Sequence, residues 1–123
     1  MSKFRKFGID AVNKSSAADL EDRMAALVTS FANALPARVK ALEDSFTLVA
    51  ACGDGQLEAL QSLQAVAHKL AGSAGTFGFP EISGEARSME VICMEAIRTY
   101  PAGIDDHVKA LRAALQRLID DRS

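Results

Sequence analysis

The sequence predicts an all-α protein, an antiparallel four-helix bundle with a short N-terminal arm or extra helix ahead of it. Three observations carry that prediction. Trp is absent and aromatic residues make up only 6% of the 123 residues, whereas a β-sandwich draws on aromatic and β-branched side chains. Alanine, the best helix former, is abundant. Glycine and proline fall at a few points, and the stretches between them repeat their apolar residues at the helical period. With 49% apolar and 24% charged residues the chain affords one packed core, and its length is that of one ordinary domain.

The first element is the longest. No glycine falls between Gly8 and Gly53, and within that stretch Leu20, Met24, Leu27, Phe31, Leu35, Val39, Leu42, Phe46 and Val49 repeat in a single register. Ser16 with Asp19 three residues later resembles a capped start, and Gly53 a stop. Pro36 removes a backbone hydrogen bond. Because the register is unbroken across it, one long helix kinked at Pro36 is expected rather than two. Asp54 is placed to cap a second helix from about Gly55 to Gly75, carrying Leu57, Leu60, Leu63, Val66 and Leu70. The segment from Gly75 to Pro80 reads as a turn, with Pro80 opening a third helix. There Ile82, Ala86, Met89, Cys93 and Ile97 form the apolar stripe, and Met89 and Met94 read as core filler. Past Pro101 and Gly103, Asp105 is placed to cap a last helix built on Val108, Leu111, Leu115 and Leu118. Residues 16–123 therefore form the bundle. Residues 1–15 are an arm or a short extra helix that docks through Phe4, Phe7, Ile9 and Val12.

Charge and cysteine content exclude several classes of function. The net charge is −2, with residues 1–14 at +3 and the remainder at −5. That balance argues against nucleic-acid binding by general electrostatics. Phe4-Arg5-Lys6-Phe7 interleaves aromatic and basic residues, but over four residues it reads as a docked or loose terminus. Cys52 and Cys93 form no metal-ligand spacing with each other, with His68 or with His107, so no metal is expected. They read as buried, reduced thiols. No apolar run approaches the ~20 residues that span a bilayer, and the N-terminus lacks a signal-peptide core. A soluble, cytoplasmic monomer with no membrane partner is the expectation.

One residue stands out. Successive helical residues are about 100° apart, which groups Leu60, Leu63, Val66, Ala67, Leu70 and Ala74 on one side of the second helix. His68 falls on the other, with Leu57, Gln61, Gln64, Ala65, Ala71, Gly72 and Gly75, and with Lys69 on its flank. A lone surface histidine is ordinarily inert, but Gly72 changes the reading. Glycine in an exposed helix costs roughly 1 kcal/mol relative to alanine. Here it lies one turn beyond His68 on the same face, leaving the imidazole open to an external partner. A neutral imidazole is a good nucleophile. No Ser, Cys or carboxylate lies one turn away to make a nucleophile–base pair, and no phosphate-binding loop or kinase signature is present. The site is equipped to accept and donate a group through nitrogen, with no hydrolytic machinery of its own.

The run His68-Lys69-Leu70-Ala71-Gly72-Ser73-Ala74-Gly75-Thr76-Phe77-Gly78 resembles the phosphoacceptor motif of histidine-containing phosphotransfer (HPt) domains. That motif has an apolar residue two after the histidine, glycine at four, small residues at five and six, and glycine at ten. The resemblance spans roughly residues 17–120. It implies an HPt-like bundle in which His68 takes a phosphoryl group through Nε2 from an aspartyl phosphate and returns it to another. Lys69, Gly72, Gln64, Gln61, Ala65, Ala71, Ser73 and Gly75 would then support the site or form the docking surface. The implied partners are response-regulator receiver domains and a sensor or hybrid histidine kinase. Any Mg²⁺ is expected on the receiver, so that this chain is a carrier with no cofactor and not an enzyme. The alternative is an adaptor bundle that docks on such partners without being phosphorylated. The family commonly has lysine three residues after the histidine, where this chain has Ala71; Lys69 is long enough to substitute.

Overall fold

In the computed structural model, the backbone is described for residues 2–51 and 53–122, and the side chains for residues 17–51 and 53–122. Among the described residues there are four helices and no strand: α1 (Ser2–Ala50), α2 (Gln56–Thr76), α3 (Pro80–Thr99) and α4 (Ile104–Arg122). The chain divides into two compact units, residues 1–33 and 34–123.

The first unit is helical throughout its described backbone, so Ser16 lies inside α1 and does not cap it. Phe4, Phe7, Ile9, Val12 and the basic residues around them lie outside the residues whose side chains are described. Leu20, Met24 and Leu27 are 58%, 45% and 49% exposed, although they continue the register of the core. Periodicity fixes which residues share a face of a helix. It does not fix how much of that face a neighbour covers.

The second unit holds the bundle. Its part of α1 contributes Leu35, Val39, Leu42, Phe46 and Val49, and α1 runs through Pro36 as one helix. From α2 come Leu60, Leu63, Ala67 and Leu70, from α3 Ile82, Ala86, Met89 and Cys93, and from α4 Leu111, Ala114, Leu115 and Leu118, all buried. Met94 departs from expectation. It is 51% exposed, because it sits outside the arc of α3 that Met89 and Cys93 define. Burial, with the charge of Glu90 as a smaller cause, pushes the Cys93 thiol up to about 12, so it stays protonated and unreactive. Cys52 lies outside the described residues.

Two helix starts differ from the sequence reading. The residue before α2 is Gly55, in a left-handed conformation at φ 89°, and no side chain caps the helix. Glycine adopts that geometry without steric cost, which removes Asp54 as the cap. The first residue of α2, Gln56, is buried: its Nε2 donates to the Val49 carbonyl at 2.8 Å, and its Oε1 accepts from the Tyr100 hydroxyl at 3.1 Å. One amide thereby ties the end of α1 and the end of α3 to the start of α2. α4 begins at Ile104, so Asp105 and Asp106 lie within its first turn, where their charge favours the positive end of the helix dipole. Pro80 opens α3 as expected.

Where α2 passes α3 the approach is close. A Cβ built on Gly75 would lie 3.2 Å from the Ser83 hydroxyl oxygen, and that hydroxyl donates to the Ala71 carbonyl at 2.7 Å. Ala71 is 1% exposed. The sequence places it on the open face beside His68, and the structure corrects this: Ser83 of α3 bonds the Ala71 carbonyl, so the contact with α3 reaches the edge of α2 on which Ala71 sits. A lysine there has to start from a fully covered position and desolvate its stem. Ala71→Lys is therefore expected to cost about 2 kcal/mol or more, read as a lower urea midpoint with an unchanged slope.

Candidate functional site

The outer face of α2 carries His68, whose side chain is 72% exposed. Two shallow grooves meet at His68 and Lys69. One is lined by Gln61, Gln64, Ala65 and Glu90, and the other by Gly72, Ser73, Thr76 and Phe77. Of the residues singled out in the sequence, Gln61, Gln64, Ala65, Lys69, Gly72 and Ser73 are gathered here. Ala71 is buried beneath this surface. Gly75 is exposed and serves the α2–α3 approach.

Gly72 and Gly75 thus divide their roles. A Cβ on Gly72 would meet nothing within 4 Å, so helix packing does not require glycine at that position. What its small size preserves is open space one turn from the imidazole.

The sequence reading missed Glu90. This α3 residue places Oε2 2.7 Å from His68 Nδ1, and its own side chain is only 13% exposed. An ionised carboxylate only accepts hydrogen bonds, so the proton sits on Nδ1 and the imidazole donates it to Glu90. The lone pair is then left on Nε2. A largely buried acid holds one edge of the ring while the rest of the ring stands in solvent, which fixes the orientation of a surface imidazole. Sequence offers one faint signal, a lone acid on the flank of the stripe between Met89 and Cys93. Its pairing with His68 depends on the α2–α3 register, which is set by Gly75 and Ser83.

Lys69 stands exposed beside the ring with no ion pair among the described residues. His107 does not line either groove. It lies in the first turn of α4 with Nδ1 buried and without a hydrogen-bond partner. Among the described residues no group of three or more His, Cys, Asp or Glu side chains is placed to hold a metal ion. No helix there is long and apolar enough to cross a membrane. The chemistry within reach is group acceptance and donation at one nitrogen.

Comparison with known proteins identifies a family. The family model described as Hpt domain matches residues 16–121. No curated protein and no solved structure matches the chain. With a match over most of its length and a bundle that holds one exposed, oriented imidazole, the chain belongs to the Hpt domain family, the phosphocarrier modules of two-component phosphorelays.

Proposed function

We propose that His68 is the phosphoacceptor of this carrier. In this reading it relays a phosphoryl group between the receiver domain of a sensor or hybrid histidine kinase and that of a response regulator. The observation that carries it is the 2.7 Å contact from the Nδ1 of an exposed His68 to Glu90. Nε2 attacks the phosphorus of an aspartyl phosphate in line with the leaving oxygen. The P–O bond to the aspartate breaks, its carboxylate leaves with the electron pair, and the Nε2–P bond forms. The Nδ1 proton stays in place. The ring becomes an imidazolium whose positive charge faces the Glu90 carboxylate, so the carboxylate supports the state in which that charge develops. Return to a second receiver reverses each step. The acidic pocket and its Mg²⁺ belong to the receiver, which explains why this chain needs only a nucleophile and a docking face.

The test is incubation with a phosphorylated receiver domain. Acid-labile, base-stable label on His68 is the expected result. Stable docking without label would leave the adaptor reading instead.

Gly72 gives an independent check. Gly72→Ala is expected to fold normally and gain up to about 1 kcal/mol, since alanine is the better helix former and its Cβ meets no neighbour. Gly72→Gln is expected to fold as well but to transfer more slowly, because its side chain fills the space beside the ring. Equal transfer rates in Gly72→Gln and wild type would show that the open space has no role.

A further inference from the structure

A phosphoryl group on His68 adds a charge of about −2 near neutral pH to a groove that already holds the Glu90 carboxylate. Lys69 supplies one nearby cation. The position three residues after the histidine supplies no other, because it is occupied by a buried alanine, Ala71. Resting on the phosphohistidine reading above, we propose that Arg87 of α3 is the second cation, reaching the phosphoryl group across the gap that Gly72 leaves open.

The placement follows from two contacts. Ser83 bonds the Ala71 carbonyl and Glu90 bonds His68, each at 2.7 Å, which fixes the antiparallel register of α2 and α3. Ser83, Arg87 and Glu90 are spaced i, i+4 and i+7 and share one stripe of α3. Arg87 therefore stands between the two contacts, level with the stretch of α2 between Ala71 and His68. Gly72 lies one turn beyond His68, and around its missing Cβ there is no atom within 4 Å, so nothing bars a long side chain from that space.

Arg87 is also uncommitted. On the same helix Arg98 is paired with Glu95, and on α4 Arg117 donates to Glu85 at 3.0 Å. Arg87 is exposed and has no hydrogen bond or ion pair among the described residues. Arg87 lines a shallow groove with Val91, Ile92 and Arg117, and the acid that pairs there, Glu85, is taken by Arg117. A rotamer change of an exposed side chain is fast, on the order of picoseconds to nanoseconds, and a guanidinium matches phosphate oxygens with two parallel N–H donors. The new dianion gives Arg87 the partner it lacks at rest.

The experiment uses phosphoramidate as the donor, so that no receiver surface contributes. The P–N bond of the donor breaks, ammonia leaves, and the Nε2–P bond forms on His68. Uptake rate and phosphohistidine lifetime are measured for wild type, Arg87→Gln, Arg87→Lys, Lys69→Ala and the Arg87→Gln/Lys69→Ala double variant. Lys109→Gln, on exposed α4 surface, controls for net charge. Arg87→Gln is expected to slow uptake about fivefold at low salt, with the gap narrowing at high salt. Arg87→Lys should restore most of the rate, and the double variant should fall below either single one. Melting temperatures should not move. Uptake and lifetime in Arg87→Gln that equal those of Lys109→Gln would overturn the assignment, as would an Arg87→Lys variant no better than Arg87→Gln. If wild type takes up no phosphate on His68, the reading on which this rests fails first, and visibly so.

Discussion

His68→Gln is expected to reduce phosphoryl uptake from a phosphorylated receiver to background while the bundle melts as wild type does. The stability half of this result follows from position. The side chain is 72% exposed, so little packing is lost with it, and substitutions at such surface positions usually stay within about 0.5 kcal/mol. The functional half follows from chemistry. Glutamine keeps polarity and approximate size but has no nitrogen lone pair to attack phosphorus, since its amide nitrogen is conjugated. His107 cannot stand in, because its Nδ1 is buried and it lies outside the grooves at His68. Persistent acid-labile label in His68→Gln, or label mapped to His107 by mass spectrometry, would refute His68 as the acceptor.

Glu90 comes second in expected size. Glu90→Ala frees the ring to rotate and lets the proton exchange between its two nitrogens, so only part of the population presents Nε2 in the reactive form. It also removes the anion that faces the imidazolium. A hydrogen bond to a charged group contributes roughly 1.5–3 kcal/mol, which corresponds to a loss of about ten- to a hundredfold in transfer rate. Glu90→Gln should fall in between, because its amide oxygen still accepts from Nδ1 but carries no charge. Single-turnover transfer with a phosphorylated receiver reads both. If Glu90→Ala transfers at the wild-type rate, the carboxylate neither orients nor supports the ring.

How far the sequence reached can be judged from these same residues. His68 and Gly72 were legible because exposure follows from helical phase and because glycine is costly where it stands. Helices α2, α3 and α4 were legible from register and from Pro80 and Gly103. Glu90 was not, since its role lies in the relation between two helices and their relative register is set by one glycine and one serine. Ala71 was misplaced for a related reason: a wheel drawn for one helix does not know how far round it a neighbouring helix reaches. Leu20, Met24 and Leu27 show the converse limit, with a clear apolar phase and about half of their surface exposed. Gln56 was missed because a polar residue at a helix start reads as surface, and only the folded chain brings Tyr100 and the Val49 carbonyl to it.

The meeting of two grooves at one imidazole has a kinetic consequence. On the reading proposed above, donor and acceptor need the same ring nitrogen and the same patch of α2 and α3, so a carrier built this way serves its partners in turn, as a ping-pong shuttle. Each visit ends in dissociation before the next begins. An acceptor in excess, already emptied of phosphate, still fits the patch and holds the empty carrier away from its donor. Flux through such a shuttle rises with acceptor concentration, passes a maximum and then declines. For a relay of that kind weak, short-lived docking serves better than tight binding, and the abundance of the partners relative to one another becomes a control on the signal.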